Sequence, residues 1–193
     1  MISDDFKREM ESIVGRQNVS VSRTVSELYS YDASLARGKP GIVVFPANGN
    51  EVAQAVRAAG REGISFVPRG FGTNLSGGTI VADQGLIICL SRLNRILGIY
   101  PESRYAVVQP GVTNLELQDA TGRLGYFYAP DPASQKVSTI GGNLGENSGG
   151  PRCLKYGVTT NHILGMEMIL PDGEIVRTGG ARSFSLSFSN SDC

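Results

Sequence analysis

The stretch Ile140–Gly150 reads IGGNLGENSGG, approached by DPASQKVST and followed by PRCLKYG. Five of the ten residues from Gly141 to Gly150 are glycine. Glycine loses more backbone freedom on ordering than any other residue, so neither an ordinary helix nor a strand is expected there. Such positions are glycine where a group approaches the main chain closely or where φ is positive. Pro68–Gly78, PRGFGTNLSGG, has the same character. Glycine-rich turns let successive amides converge on an anion with no Cβ in the way. The two stretches are therefore expected to face each other across a phosphorylated cofactor.

A chain of 193 residues suffices for one ordinary domain or for two small lobes sharing a ligand. Lysine plus arginine and aspartate plus glutamate both number 18, without a basic run, which argues against a nucleic-acid partner. Cys89, Cys153 and Cys193 are an odd set without CxxC spacing, so neither a disulfide framework nor a metal site is expected. Cys89, inside the apolar run GLIICL, reads as a small buried hydrophobe. The polar, acidic start MISDDFKREM is unlike a signal peptide. No apolar run approaches the roughly 20 residues of a membrane span. A cytoplasmic protein is the expectation.

Along the chain, residues 4–14 read as an amphipathic helix capped by Ser3, with Phe6, Met10, Ile13 and Val14 on one face. Tyr29 and Tyr31 are expected to pack by their rings. GIVVFP (41–46), ISFVP (64–68) and GLIICL (85–90) are strand candidates. Between the first two, a helix carrying Val52, Ala55, Val56 and Ala59 is expected to start at Asn50 and close at Gly60. That order implies a partly parallel sheet with a ligand at the carboxyl end of its second strand. ILGIY and YAVVQPG flank the turn residues PESR and predict a hairpin. Thr113 with Glu116 forms a capping box for a helix carrying Leu115, Ala120 and Leu124. HILGMEMIL, the turn Pro171-Asp172-Gly173, and EIVRT predict a second hairpin. The first lobe is thus expected to be α/β, and the second an antiparallel sheet with helices.

The common nucleotide motifs do not fit. GxxxxGK[ST] is absent, and Leu75 stands where a GxGxxG begun at Gly70 needs its third glycine. For either loop alone, a glycine-rich surface turn between two strands is the plain alternative.

VPRGFGTNLSGG, VQPGV, YAPDPASQ…STIGGNLGENSGGPRCLKYG and HILGMEMILPDGEIV, in that order, resemble the FAD-linked oxidases of the vanillyl-alcohol oxidase superfamily. Within it the likeness is greatest to the FAD subunit of glycolate oxidase and to D-lactate and D-2-hydroxyglutarate dehydrogenases. It runs from about Tyr29 to Val176. The resemblance implies an α+β, PCMH-type FAD-binding fold of two lobes, the second incomplete. The FAD-binding domain would span 38–182, with lobes of about 38–92 and 93–182, after an N-terminal helix and connection over 1–37.

Carried over by position, the resemblance places Arg69, Gly70, Gly72, Thr73, Asn74 and Gly77 on the pyrophosphate, with Pro68, Leu75 and Gly78 in the same cofactor site. Gly72 would be glycine because a Cβ would stand in the phosphate's approach. Pro130, Asp131, Ser134, Thr139, Gly142, Asn143, Asn147 and Ser148 would line the flavin and ribityl side, together with Gly141 and Gly149. Tyr156 and Gly157 would lie close by, and Ile175 by the adenine end. Some relatives tether the flavin through a histidine where this chain has Thr73, so non-covalent FAD is implied. His162, the sole histidine, opens a strand and reads as structural, and no catalytic residue is expected here.

The resemblance also implies an activity. Relatives oxidise a small 2-hydroxy acid to the 2-oxo acid by hydride transfer to flavin N5, some with an electron-transfer partner subunit. They continue into a substrate domain whose metal-binding and proton-abstracting histidines are missing here. The serine-phenylalanine tail at 183–193 begins where the likeness fades, so a fragment or a shifted reading frame, inactive alone, is expected. The alternatives are a non-catalytic flavin- or partner-binding module, and another alcohol or sugar oxidase of the superfamily.

Overall fold

The computed structural model describes residues 2–180, so the tail lies outside the described residues. Ser3 caps helix α1 (Asp4–Val14) by accepting from Phe6 N at 3.1 Å. Phe6, Met10 and Val14 are buried along one stripe, with Ile13 packed beside them. Strand β1 (Val19–Ser20) and helix α2 (Arg23–Tyr29) lead to β2 (Pro40–Val44). Helix α3 (Gly49–Arg61), strand β3 (Phe66–Arg69) and strand β4 (Gly85–Cys89) follow.

These strands form one sheet of order β1-β2-β4-β3, parallel except for β1 against β2. Every residue of β4 is buried, including Cys89. Leu86 and Ile88 join Ile42 and Val44 on the face covered by α1 and α3. Ile87 and Cys89 join Val43 on the opposite face, against Val81, Tyr29 and Phe45. A strand covered on both faces reads as an unbroken apolar run rather than an alternating one.

Local details depart from expectation. The cap of α3 is Asn48, not Asn50: its Oδ1 accepts from Glu51 N at 2.9 Å, and Glu51 Oε2 accepts from Ala47 N at 2.7 Å. Asn48 Nδ2 also donates to Glu51 Oε1 at 2.9 Å, and this reciprocal pairing starts the helix earlier than the apolar spacing suggests. The helix also runs through Gly60 to Arg61, and the left-handed residue is Gly63, at φ 63°. Tyr29 packs edge-on against Phe45, with centroids 5.9 Å apart, while the exposed Tyr31 ring lies under Arg37.

The second half begins with β5 (Ile96–Tyr100) and β6 (Tyr105–Val108), an antiparallel hairpin. Helix α4 (Asn114–Gly122) carries the expected Thr113–Glu116 capping box, but its buried residues are Asn114 and Leu117. Leu117 packs with Val112 and Ile140, whereas Leu124 is exposed. Two short helices, α5 (Ile140–Gly145) and α6 (Cys153–Tyr156), precede a second hairpin of β7 (Gly165–Ile169) and β8 (Ile175–Gly179). The antiparallel pairing is as expected, but it forms two separate two-stranded ribbons. The β7–β8 ribbon reaches the first lobe: Ile169 packs on its core, and a Cβ on Gly173 would meet Ala53 O of α3 at 2.8 Å.

Candidate functional site: two glycine loops in contact

The first loop leaves the carboxyl end of β3, where Arg69 pairs with Cys89 of β4. Ligands of parallel sheets gather at such strand ends. Gly72 and Gly77 have φ of 68° and 76°, a left-handed backbone that glycine adopts freely. A Cβ on Gly72 would point back into the Arg69 guanidinium and not outward into a ligand's path. The glycine is thus required by the packing behind the loop, which corrects the simpler phosphate-clearance argument.

Arg69 is itself buried, 6% exposed, and its side chain serves the protein. Its Nη2 donates to Tyr31 O at 2.7 Å and its Nη1 to Thr79 Oγ1 at 3.3 Å. The guanidinium carbon stands 5.2 Å from the Tyr29 ring centroid. Burial pushes the Arg69 guanidinium down and the Tyr29 phenol up from their ordinary values. Asp32, which the sequence does not mark, is the loop's buried hub. Its Oδ1 accepts from Ser34 N at 2.8 Å and its Oδ2 from Asn74 Nδ2 at 2.6 Å, with Thr79 Oγ1 at 3.4 Å. Burial pushes this carboxyl up, and the hydrogen bonds from Ser34, Asn74 and Thr79 more than offset it, so the net shift is downward. Asn74 thus spends its side chain inside the loop, while Leu75 is 79% exposed at its tip. Pro68 and Gly78 are exposed too, and Thr73 is half-buried.

The second stretch is partly helical, contrary to its glycine content. Thr139 Oγ1 accepts from Gly142 N at 3.2 Å and caps α5, and the side chain of Ile140 anchors the helix in the core. A helix's backbone bonds need no side chains, so a cap and one anchor outweigh the glycine entropy. Gly141 fits against Pro110, where a Cβ would stand 3.1 Å from the carbonyl oxygen. Gly142 and Gly145 are exposed: a Cβ on Gly145 would meet nothing, and one on Gly142 would meet only Thr139 Oγ1.

The two loops touch. A Cβ on Gly70 would stand 2.5 Å from Thr139 Oγ1, and Ser76 Oγ donates to Glu146 Oε2. Behind them runs an amide chain: Asn143 Nδ2 donates to Asn114 Oδ1 at 3.1 Å, and Asn114 Nδ2 donates to Pro130 O at 3.0 Å. Asn143 is 1% exposed, so its side chain faces the scaffold. Asn147 Oδ1 accepts from Thr160 N and Oγ1, and Ser148 O accepts from Thr159 Oγ1 at 2.6 Å. Asp131 pairs with Arg152 at 3.2 Å, and Ser134 O ends the turn that leads to Ser138. Gly149 lies beside Cys153, and Gly157, at φ 83°, beside Asn161.

Tyr156 meets Phe127 edge-on at 5.5 Å, and its carbonyl accepts from His162 Nε2 at 2.9 Å. His162 closes a 3-10 turn over Thr159–His162 ahead of β7, rather than opening a strand. Burial pushes the neighbouring Tyr128 phenol up to about 12. Ile175 stands apart on β8, paired with Ile169. Sequence reasoning missed Asp32, Asn114 and Glu146. Glu146 lay inside GENSGG, Asn114 inside the Thr113–Glu116 capping box and Asp32 beside Tyr31, but none of the three side chains was singled out.

A family model described as an FAD binding domain matches residues 40–179. The chain belongs to this family. As an FAD-binding domain it is 43% identical over 181 residues to glycolate oxidase subunit GlcD of Bacillus subtilis, covering 93% of this chain and 38% of that protein. It is 34% identical to D-lactate dehydrogenase of Anaerostipes hadrus, covering 88% of this chain and 36% of that one. Its fold matches alkyldihydroxyacetonephosphate synthase with a TM-score of 0.83 at 21% identity, covering 97% of this chain and 37% of that chain. It matches p-cresol methylhydroxylase with a TM-score of 0.78 at 23% identity, covering 94% and 36%. At those identities the two structures show the fold, which is the PCMH type expected. The chain spans less than two fifths of the length of these relatives.

The site fits FAD on its own geometry. The exposed side of α5 carries no Cβ at Gly142 or Gly145, which leaves room for a flat ring. Ser138 Oγ, next to the α5 cap, is buried without a hydrogen-bond partner among the described residues. No metal-ligating cluster and no helix long and apolar enough to cross a membrane occur among the described residues.

Proposed function

We propose that the chain is the FAD-binding portion of a flavin-dependent oxidoreductase acting on a 2-hydroxy acid of the glycolate or D-lactate type. The contact between the two glycine loops carries this reading, because Gly70 lies so close to Thr139 that one cradle is assembled from segments far apart in sequence. Pyrophosphate would lie along Pro68–Gly78, held by backbone amides of Gly70, Gly72, Gly77 and Gly78 and by the hydroxyls of Thr73 and Ser76, with Leu75 at the rim. Arg69 and Asn74 shape that loop from behind. Thr139, Gly141, Gly142 and Gly149 would flank the flavin and ribityl chain, with Tyr156 and Gly157 nearby. Pro130, Asp131, Ser134, Asn143, Asn147 and Ser148 fix the segments around it. Ile175 would serve the adenine end.

Bound FAD supplies a two-electron acceptor, and the protein supplies its orientation and surroundings. Thr73 cannot form the histidyl link, so FAD is held without a covalent bond. The substrate's proton acceptor would come from outside the described residues. A partner subunit is part of this reading, since the Bacillus subtilis relative is itself named a subunit. So is a cytoplasmic location, which suits the two described free cysteines, Cys89 and Cys153.

Flavin absorbance in the purified chain tests the cradle: a colourless protein that gains no signal with added FAD would refute it. A chimera in which this chain replaces the matching part of the Bacillus subtilis subunit tests the activity. Turnover of glycolate or D-lactate is expected, and turnover of neither by a flavin-loaded chimera would overturn the substrate class.

A further inference from the structure

The residue at the seam of the two loops carries a charge. Glu146 follows α5 directly and is exposed. Its Oε2 accepts from Ser76 Oγ, and its Oε1 lies 2.6 Å from where a Cβ on Gly78 would stand. No ion pair engages it among the described residues. A carboxylate resting on a hydroxyl and a glycine turn uses the features that suit the loop to a phosphate oxygen: a donor, and clearance above the backbone.

We propose that Glu146 is an internal anion that competes with the cofactor's pyrophosphate for the Ser76 hydroxyl and the Gly77–Gly78 turn. It thereby sets the domain's affinity for phosphorylated flavins while leaving unphosphorylated flavin unaffected. This rests on the reading of Pro68–Gly78 as the pyrophosphate loop. Two negative groups cannot share one hydroxyl without repulsion, so binding requires the carboxylate to swing away. A clamp that merely held the loops together would have the opposite effect, because loosening it would weaken binding.

Glu146→Gln separates the two. The glutamine carbonyl still accepts from Ser76, so the bridge survives while the charge goes. Glu146 is exposed, so folding is not at stake. FAD and riboflavin are titrated separately against the full chain and the variant, following flavin fluorescence. The expected result is FAD affinity raised about tenfold in the variant, the scale of a modest charge repulsion removed, with riboflavin affinity unchanged. Equal or weaker FAD binding by the variant overturns the inference and leaves the loop assignment standing. An equal gain for riboflavin also overturns it, since the effect would then not be on phosphate. Absence of FAD binding by both proteins overturns the loop assignment, and the inference with it.

Discussion

At Gly72 and Asp32 single atoms decide whether the first loop exists. Gly72 combines a φ of 68° with the Arg69 guanidinium packed where its Cβ would go. Gly72→Val is therefore expected to destabilise the domain by about 2 kcal/mol or more through strain and displaced packing, besides abolishing FAD retention. A thermal melt beside a flavin titration checks it, and an unchanged melting temperature would show that the loop tolerates the side chain. Asp32 collects the Ser34, Asn74 and Thr79 donors. Its carboxyl titrates below its ordinary value when folded, so its stabilisation is present above the unfolded value of about 4 and is lost as pH falls below it. Asp32→Ala should cost about 2 kcal/mol at neutral pH, with that deficit shrinking in acid. Denaturant melts at pH 7 and pH 3 measure both. Neither role is legible in the sequence, where Asp32 sits in a polar connection and Gly72 looks like one clearance glycine among several.

Elements were legible where a local signal and the tertiary environment agreed. Ser3 with the Phe6, Met10 and Val14 stripe specified α1, and Thr113 with Glu116 specified the start of α4. They were illegible where a distant contact overrode local propensity. Helix α5 is poor in helix formers and exists because Thr139 caps it and Ile140 is buried against Val112 and Leu117. Thr139→Ala should cost about 1 kcal/mol as a lost cap, and Thr139→Ser should restore it. Asn114 reads in the sequence as an ordinary polar residue of the first turn of α4, yet it spans Asn143 and Pro130 while fully buried. Asn114→Ala is expected to cost about 2 kcal/mol, because it leaves the buried Asn143 Nδ2 without its acceptor, while Pro130 O keeps the Gln118 Nε2 donor. Chemical denaturation of the pair, Asn114→Ala and Asn143→Ala, with their double variant, should reveal coupling. Additive losses would mean the amide chain is not one unit.

On the scale of the whole molecule, the order of motifs along the chain sufficed for the family and the PCMH-type fold. The number of sheets in the second half was not deducible, since two hairpins with the same turn signals can pair or stand apart. The sheet of the first lobe, buried on both faces, has a consequence for neighbouring residues. Ile87 and Ile88 share a peptide bond but belong to different clusters. Ile88 is braced by the helices on the far side, while Ile87 sits with Tyr29, whose ring carries Arg69 and so the first loop. Each Ile→Ala change should lower stability by about 3 kcal/mol. At temperatures where both variants remain folded, only Ile87→Ala should also loosen FAD binding. A mutational scan of β4 would then show a two-residue beat, with alternate positions heard in the cofactor and the others silent there.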